Sequence, residues 1–432
     1  MEKKKTGALN LGPKGLGVVI LSFLACYMYS AMTSDSLNVT VGVFGQMGFN
    51  TNIIYTLSSV ATVCGIVGSI LFAKISEKRL RVTWACTLIL AGVFSLIWSA
   101  APKTGSMAVY AIGYLVTYTM LLVSCMLLSF NVLANWFPRK RGVALGIATA
   151  GFPLSAATTT AVCSKLAVNI SNFYLIYGII ALIIGVIVFV YVRDFPEEKG
   201  AYPDNDRDFD FEAAAKEHQA NLEYLKTSKW TIGKVLKTPR LWQIWIGICI
   251  TGFLSMGIMA NFMNKFMEQY GARIAEVGPD AVVGQIIGML AIVGIVAIPG
   301  SVFIGWFDVK FGTKKAAILD GALAVIAVAL GLTPVVALHY VSLIPLAVML
   351  GGSSNMMTSV TAAIWGRYDF QNAFRVIQPL NAIMTGIGIT VVGLIGTNFS
   401  YMAAYKVMLV MAIVALIVTI FLRVEPIDDE VR

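Results

Sequence analysis

Long apolar segments alternate with short polar ones along almost the whole chain. The apolar runs are about twenty residues long and lack the two-residue alternation of half-buried strands, which predicts helices that cross a membrane. The predicted spans cover residues 15–36, 51–75, 84–102, 107–134, 142–164, 172–192, 241–265, 282–306, 316–335, 341–364, 376–396 and 402–423. The predicted fold class is therefore an all-α integral membrane protein with twelve transmembrane helices.

The composition agrees with a lipid environment. Of the 432 residues, 58% are hydrophobic and 13% are charged, against about 25% charged residues in an average soluble domain. Only helices and closed barrels satisfy their backbone hydrogen bonds in lipid. The six cysteines stand singly, without metal or redox spacing, and there are only two histidines. We therefore predict no metal site and no cofactor.

Lysine and arginine are concentrated in every second loop, and the chain carries a net charge of +9. The positive-inside rule places such loops in the cytoplasm. This predicts a multi-pass protein of the cell membrane with both termini cytoplasmic. The basic residues are explained by the lipid bilayer as partner, so no nucleic acid is predicted.

One long polar stretch, residues 193–240, separates six spans from six spans. It predicts an N-terminal six-helix bundle (1–192), a cytoplasmic central loop with an interfacial helix (193–240) and a C-terminal six-helix bundle (241–432). The acidic beginning of the loop is expected to be loose and residues 211–226 to be helical. Its lysine- and tryptophan-containing end is typical of an interfacial helix. Six spans plus six suggest an internal duplication, hence two pseudo-symmetric bundles.

The loops after spans two and eight have related residues. "GWFDVKFGTKK" (305–315) has its counterpart in "AKISEKRLR" (73–81). Glycine permits a tight turn, an acid favours a helix N-terminus, and the bases hold the loop in the cytoplasm. A plain polar turn is the alternative interpretation. The gating candidates in these loops are Glu77, Arg81, Gly305, Asp308, Gly312, Lys314 and Lys315.

These motifs resemble the signature loop of the major facilitator superfamily. Asp308 lies one residue early, and Ala73 and Leu80 replace the two glycines of the first copy. "NWFPRKRGVALGIATAGFPLS" (135–155), "TPRLWQIW" (238–245) and "WGRYDFQNAF" (365–374) are similar to the oxalate/formate antiporter and monocarboxylate porter group. The resemblance implies a monomeric secondary transporter with a central cavity lined by spans 1, 4, 7 and 10 and by spans 2, 5, 8 and 11.

Polar side chains at helical spacing on those spans are candidates for substrate contact. The same side chains also stabilise helix packing in membranes, which is the alternative for each of them. The predicted substrate-binding set is Tyr27, Ser30, Tyr110, Tyr114, Tyr118, Asn261, Ser354, Thr358, Gln378 and Asn381.

Charged residues within the spans are few and costly, which makes them functional candidates. Asp35 is predicted near the outer end of span 1 and Lys265 near the outer end of span 7. We expect these two to pair when the outer gate is closed. Asp320 and Lys406 are expected to extend to the interface. No carboxylate is predicted in the middle of a span, so the sequence shows no proton relay; proton coupling through the substrate's own carboxyl group stays open.

The sequence contains no nucleotide-binding loop and no catalytic motif, so it does not predict an enzyme. The resemblance implies cationic residues deep in spans 8 and 11, where this chain has Gln285, Gln378 and Asn381. We therefore predict a small-molecule substrate that is a monocarboxylate-like organic anion, moved by exchange or proton symport. A larger amphipathic or uncharged solute is one alternative. A membrane sensor or scaffold that does not transport is another.

Overall fold

A computed structural model of the protein describes residues 10–76, 79–138, 140–206 and 230–427, with a few isolated positions between 210 and 223. The secondary structure of these ranges is helical and contains no strand. The first helices are α1 (Gly12–Ser30), α2 (Leu37–Gln46), α3 (Thr51–Ser76), α4 (Leu80–Trp98), α5 (Met107–Leu122), α6 (Phe130–Trp136), α7 (Arg141–Thr149), α8 (Gly151–Lys165) and α9 (Ile170–Tyr191). The later ones are α10 (Ile232–Leu236), α11 (Pro239–Gly247), α12 (Cys249–Gln269), α13 (Pro279–Phe311), α14 (Thr313–Gly331), α15 (Val336–Asn398) and α16 (Tyr401–Phe421). The backbone of α15 is not helical at Gly366, which divides it into two helices.

Eleven of the described helical stretches are long and apolar enough to cross a membrane. The predicted ninth span, 316–335, corresponds to α14, which has 19 residues. It includes Lys314, Lys315 and Asp320, and charges of this kind raise the cost of insertion. The all-α membrane fold is confirmed, and the total of twelve spans stays a prediction.

Two compact units, Met1–Phe211 and Glu212–Arg432, make up the chain. Their division falls inside the polar stretch 193–240, whose predicted boundaries at 192 and 241 stay a prediction. In the first unit α4 packs against α5 and α9, and α1 packs against α8. In the second unit α14 packs against α15 and α16, and α12 packs against α15.

The same close helix contact occurs once in each unit. A Cβ atom on Gly151 of α8 would lie 2.4 Å from the carbonyl oxygen of Phe23 in α1. A Cβ atom on Gly388 of α15 would lie 2.3 Å from the carbonyl oxygen of Phe253 in α12. Both glycines therefore allow backbone-to-backbone packing of the kind that small residues permit in membranes. The predicted fifth span thus contacts the first span in one unit, and the predicted eleventh span contacts the seventh in the other.

The turn between α13 and α14 is shorter than the sequence predicts. Helix α13 continues to Phe311, five residues past the expected end at 306, and α14 begins at Thr313. Gly312 alone links them, with φ +92°. Gly305 lies inside α13 and a Cβ atom there would meet nothing within 4 Å. Of the two signature glycines, only Gly312 has a backbone conformation that requires glycine.

We expect Gly312→Ala to lower the melting temperature of the purified protein by several degrees. Its φ and ψ of 92° and 151° belong to a region that costs other residues about 1–3 kcal/mol. Gly305→Ala is the matched control in the same motif, and it should leave the melting temperature unchanged or raise it, because alanine is the better helix former. Equal loss of stability in the two variants would contradict the conformational argument.

The beginning of the central polar stretch is ordered against the first unit, so the expectation of a loose segment is wrong. Asp204 is buried, and its Oδ1 accepts a 2.8 Å hydrogen bond from the backbone N–H of Lys140. Lys14 Nζ donates to the carbonyl oxygen of Lys199 at 2.7 Å. These bonds pair backbone polar groups for which the sequence pattern predicts no partner. Most of residues 211–226, predicted to be helical, lie outside the described part of the chain.

The predicted interfacial segment forms two short helices, α10 and α11. Trp230 precedes α10 and packs edge-on against Trp365, with ring centroids 6.1 Å apart. The Nζ of Lys234 lies 5.0 Å from the ring centroid of Trp230. The segment is therefore attached to the second unit. Its interfacial position stays a prediction.

Candidate functional site

A buried carboxyl group lies where the first span changes its helical pitch. The π-helical segment Ala31–Asp35 follows α1 directly, and α2 continues the helix to Gln46. Asp35 is 3% exposed. Its Oδ2 accepts hydrogen bonds from the hydroxyls of Ser30, at 2.9 Å, and Ser155, at 2.5 Å. A π-helical turn is frequent at functional sites because it redirects side chains.

The position of Asp35 differs from the expectation of an outer-end residue. Ser155 belongs to the span Val143–Lys165 and lies near its middle. The helix that carries Asp35 does not end there, because α2 extends it to Gln46. Asp35 therefore lies level with the middle of the fifth span, and the expectation that no carboxylate lies deep in a span is wrong. The sequence pattern missed this because it gives no register between neighbouring helices.

Further polar contacts enclose the same group. Ser34 Oγ lies 3.4 Å from Asp35 Oδ1, and Ser155 Oγ lies 3.0 Å from Thr159 Oγ1. The carbonyl oxygen of Asp35 accepts from Asn38 Nδ2 at 3.1 Å. Within the described residues, no lysine, arginine or histidine forms an ion pair with Asp35. The carboxyl group is therefore hydrogen-bonded but lacks a counter-charge.

Two separate groups of hydroxyls connect α1 to the neighbouring helices of the first unit. Tyr27 Oη lies 3.0 Å from Thr158 Oγ1 and 3.3 Å from Tyr177 Oη. Tyr118 Oη lies 3.3 Å from Tyr29 Oη and 2.9 Å from Thr62 Oγ1. Sequence reasoning selected Tyr27 and Tyr118 and missed their partners. Residues i and i+2 lie on different faces of a helix, so the spacing from Tyr27 does not select Tyr29.

Tyr110 and Tyr114 belong to an aromatic cluster inside the first unit. Both are buried, and their ring centroids lie 5.4 and 5.3 Å from that of Trp98. Trp98 in turn stacks on Tyr174 at 3.9 Å. Aromatic contacts of this geometry stabilise packing. The structure thus gives these two tyrosines many ring contacts, and their role towards substrate stays a prediction.

Lys265 is the only buried lysine or arginine among the described residues, and it is 0% exposed. Its Nζ donates to Gln269 Oε1 at 2.5 Å and to the carbonyl oxygen of Gly331 at 2.6 Å. It also lies 3.7 Å from the ring centroid of Phe266 and 4.8 Å from that of Tyr405. Gly331 is the last residue of α14. The ammonium group therefore lies at the negative end of that helix dipole, where a cation is favoured.

Hydrogen bonds connect Lys265 through Gln269 to His339. Gln269 Nε2 donates to the carbonyl oxygen of Thr333 at 2.8 Å, and His339 Nε2 lies 2.7 Å from the same oxygen. His339 Nδ1 lies 2.8 Å from Tyr270 Oη. Asp35 and Lys265 each make these polar contacts within their own unit. Their pairing at an outer gate stays a prediction.

The amide candidates of the second unit lie on α12 and α15. Asn261 is buried, and its Nδ2 donates to the carbonyl oxygen of Gly257 at 2.9 Å. The Oδ1 of Asn261 and the Oε1 of Gln378 are buried without a hydrogen-bond partner among the described residues. Asn381 lies against Gly252, where a Cβ atom would be 3.2 Å from its Oδ1. Thr358 is exposed, and the side chain of Ser354 lies outside the described part.

The first-half signature loop (73–81) is bonded by an acid from another part of the chain, which the sequence analysis missed. Asp194 follows α9, and its two carboxylate oxygens accept from the backbone N–H groups of Leu80 (3.1 Å) and Arg81. A carboxylate at this position satisfies free N–H groups and the helix dipole of α4. The guanidinium of Arg81 lies 5.5 Å from the ring centroid of Phe189. The predicted acid, Glu77, lies outside the described residues.

We expect Asp194→Ala to destabilise the first unit by about 1–2 kcal/mol, which is the usual cost of a lost helix cap. Glu198→Ala is the control, since Glu198 lies on the same polar segment after α9 and is exposed. Thermal unfolding of the detergent-solubilised variants measures the difference. If both variants melt together with the wild type, the cap contributes nothing.

In the second-half signature loop, the basic residues face outward. Lys314 and Lys315 are exposed in the first turn of α14. Lys310 Nζ lies 4.7 Å from the ring centroid of Trp306. Asp308 is half-buried in α13, and its carbonyl oxygen accepts from the N–H of Gly312 at 2.9 Å. The gating role of these residues stays a prediction.

Asp320 does not extend to the interface, so that expectation is wrong. It is 1% exposed, and its Oδ1 has no hydrogen-bond partner among the described residues. A Cβ atom on Gly352 would lie 2.5 Å from that oxygen. The carboxyl group of α14 thus fits against a glycine of α15. Lys406 is exposed, as its expected position at the interface requires.

Comparison with known proteins adds three kinds of likeness. A family model described as Major Facilitator Superfamily matches residues 124–373. The oxalate:formate antiporter of Oxalobacter formigenes is 22% identical over 443 aligned positions, which cover 98% of this chain and 94% of that protein.

Similar solved structures include a bacterial homologue of the human lysosomal transporter Spinster, inward-facing and occupied. It has a TM-score of 0.69 at 13% identity, with 95% of this chain and 96% of that chain covered. A point mutant of the nucleoside transporter NupG has a TM-score of 0.69 at 12% identity, with 94% and 99% covered. The human organic anion transporter MFSD10 (TETRAN) has a TM-score of 0.61 at 12% identity, with 94% and 100% covered. At these identities the likeness concerns the fold.

Proposed function

Because this chain belongs to the Major Facilitator Superfamily and is a multi-pass membrane transporter rather than an enzyme, we propose that it moves a small organic anion of the monocarboxylate type. Transport proceeds by alternating access across the cytoplasmic membrane, as exchange or as proton symport. The protein acts as a monomer with both termini in the cytoplasm.

One observation carries the choice of a monoanion. Lys265 is the only lysine or arginine buried within the described residues, and no carboxylate there forms an ion pair with it. A single uncompensated positive charge favours a single negative charge on the solute. A dicarboxylate would require a second buried cation, since each unpaired charge costs several kcal/mol in a low-dielectric site.

The distant likeness to the oxalate:formate antiporter supports an organic acid as substrate. Hydroxyl and amide groups supply hydrogen-bond donors suited to a carboxylate. In the first unit we assign this role to Tyr27, Ser30 and Tyr118, with Tyr110 and Tyr114 behind them. In the second unit we assign it to Asn261, Ser354, Thr358, Gln378 and Asn381. The buried oxygens of Asn261 and Gln378, which have no hydrogen-bond partner among the described residues, are acceptors suited to a solute hydroxyl or a carboxylic acid proton.

A larger amphipathic or uncharged solute is the second candidate. The half-buried rings of Tyr29 and Phe152, with centroids 6.3 Å apart, offer aromatic surface beside the Tyr118 hydroxyl. Such surface binds apolar bodies as well as polar tips. Gating, in either case, includes the pairing of Asp35 with Lys265 that the sequence predicts. On the cytoplasmic side it is assigned to the two signature loops, with Arg81, Asp308, Gly312, Lys314 and Lys315 as participants.

Uptake by proteoliposomes tests the proposal. Purified protein is reconstituted, and entry of labelled formate, lactate, oxalate and an uncharged analogue is measured with and without unlabelled solute inside. We expect a monocarboxylate to enter, with acceleration by internal counter-solute if the protein exchanges. Uptake of oxalate at the same rate as the monocarboxylates would contradict the single-charge argument, and uptake of the uncharged analogue alone would favour the second candidate.

A further inference from the structure

We propose that Asp35, with the hydroxyls of Ser30 and Ser155, binds the proton that drives uptake of the anionic substrate. This inference rests on the proposed transport of an organic anion and names its coupling ion. It assigns proton symport to the group of atoms around the π-helical turn of the first span.

The first step is the cost of a buried charge. Asp35 is 3% exposed, and the described residues of the first unit offer it no cationic partner. An isolated carboxylate in such surroundings is expensive, and it loses its charge by taking up a proton or a cation. The buried carboxyl group of Asp35 is therefore expected to carry a proton or a cation in this conformation.

The hydrogen-bond pattern suits a neutral carboxylic acid. Oδ2 accepts from two hydroxyls, those of Ser30 and Ser155, as a carbonyl oxygen does. Oδ1 has Ser34 Oγ as a longer neighbour at 3.4 Å, and an acid O–H at Oδ1 would donate to it. A metal ion needs several oxygens that direct lone pairs at one centre. Here the hydroxyls of Ser30 and Ser155 direct their hydrogens at Asp35 Oδ2 instead. The site therefore fits a proton better than a sodium ion.

The other titratable groups close to the π-helical turn place no charge next to the Asp35 carboxyl group. On α5, Tyr114 Oη donates to the carbonyl oxygen of Thr33 at 3.3 Å. On α8, Cys163 is buried and Lys165 is exposed at the helix end, ten residues beyond Ser155. On α2, Asn38 binds the carbonyl oxygen of Asp35. The nearest elements thus present phenol, thiol and amide groups, so the carboxyl group titrates as one site.

Asp320, the other buried carboxyl group, lacks the features of a proton carrier. No hydroxyl of the described residues hydrogen-bonds its Oδ1, and that oxygen lies against Gly352. Asp35, by contrast, is hydrogen-bonded to Ser155, whose Oγ lies 3.0 Å from Thr159 Oγ1, so its carboxyl group has hydroxyl neighbours. The proton binds as Asp–COO⁻ plus H⁺ giving Asp–COOH, and it returns to water when the site opens, with no other bond changed.

The experiment compares two modes of transport in the same proteoliposomes. Uptake driven by an imposed pH gradient requires a proton site, whereas exchange of labelled for unlabelled solute with no gradient does not. In Asp35→Asn we expect pH-driven uptake to fall at least about tenfold, while exchange remains above that of vesicles without protein. Asp320→Asn is the matched control and should keep pH-driven uptake.

A second variant keeps the proposal testable if Asp35→Asn folds poorly. Ser155→Ala removes one donor that stabilises the carboxylate form. The pH of half-maximal uptake should then move to higher values, which a purely structural role would not produce. An unchanged pH profile in Ser155→Ala overturns the proposal.

Three kinds of result would overturn the inference while transport of an organic anion by this protein still stands. One is pH-driven uptake that survives in Asp35→Asn or disappears in Asp320→Asn instead. Another is equal loss of exchange and pH-driven uptake in Asp35→Asn, and the third is wild-type uptake that follows a sodium gradient and not a proton gradient. If wild-type protein neither exchanges nor accumulates any organic anion, the proposed function itself fails.

Discussion

Replacing Lys265 by methionine should abolish transport while leaving the protein folded. Lys265 is 0% exposed and is held by Gln269 and the carbonyl oxygen of Gly331. Methionine has a similar volume and no charge, so the desolvation cost of the ammonium group disappears. Replacing buried charges by apolar side chains of similar size is often neutral or stabilising. We therefore expect an unchanged or higher melting temperature together with an initial uptake rate lowered at least about tenfold.

The control for this variant is Lys406→Met. Lys406 is exposed and follows Tyr405, whose ring lies 4.8 Å from the Lys265 ammonium. It should transport at the wild-type rate, because an exposed lysine near a span end contributes little. If Lys265→Met transports normally, the lysine serves only as the cap of α14. If it melts several degrees lower and transports poorly, its role is structural and the single-charge argument loses its support.

Placing a methyl group at Gly151 should destabilise the first unit strongly. The new Cβ atom would lie 2.4 Å from the carbonyl oxygen of Phe23 and 2.8 Å from the backbone nitrogen of Tyr27. Backbone atoms cannot move aside as a flexible side chain can, so α1 and α8 must separate. Overpacking of this kind costs about 1–3 kcal/mol or more. We expect Gly151→Ala to lower the melting temperature by several degrees and to reduce uptake.

Gly146→Ala provides a matched comparison in the same span. A Cβ atom at Gly146 would meet nothing within 4 Å, and alanine is favoured over glycine in a helix by about 1 kcal/mol. This variant should be as stable as the wild type or more so. The same separation of α1 from α8 would move Ser155 away from Asp35, so loss of pH-driven uptake should accompany the loss of stability in Gly151→Ala. Equal melting temperatures for the two variants would disprove the close contact.

Much of the fold follows from the sequence pattern. The predicted span 51–75 became α3 (Thr51–Ser76), and 172–192 became α9 (Ile170–Tyr191). Such agreement arises because lipid sets the length of an apolar helix and leaves no alternative partner for its backbone. The end of α13 was missed by five residues. Polar residues such as Asp308 and Lys310 indicate that the chain has left the lipid, but the helix continues through them to Phe311.

Fewer contacts of the candidate site than elements of the fold could be predicted from the sequence. Helical spacing selected Tyr27 and Tyr118, yet it did not select Thr62, Thr158 or Tyr177, which bind them from other helices. Asp35 and Asp320 were both noticed as charges, and both were given the wrong depth or exposure. Periodicity identifies the face of one helix and carries no information about which residue of a neighbouring helix lies opposite.

The sequence by itself determined that this chain crosses the membrane many times as helices, because burial of apolar side chains in lipid depends only on the local run of residues. Its resemblance to a transporter superfamily was also readable from local motifs. Only the tertiary structure decided that Ser155 encloses Asp35, that Lys265 lies at the end of α14 and that Asp194 caps α4. Each of these is a hydrogen bond between residues far apart in the chain, so its existence depends on the register of packed helices.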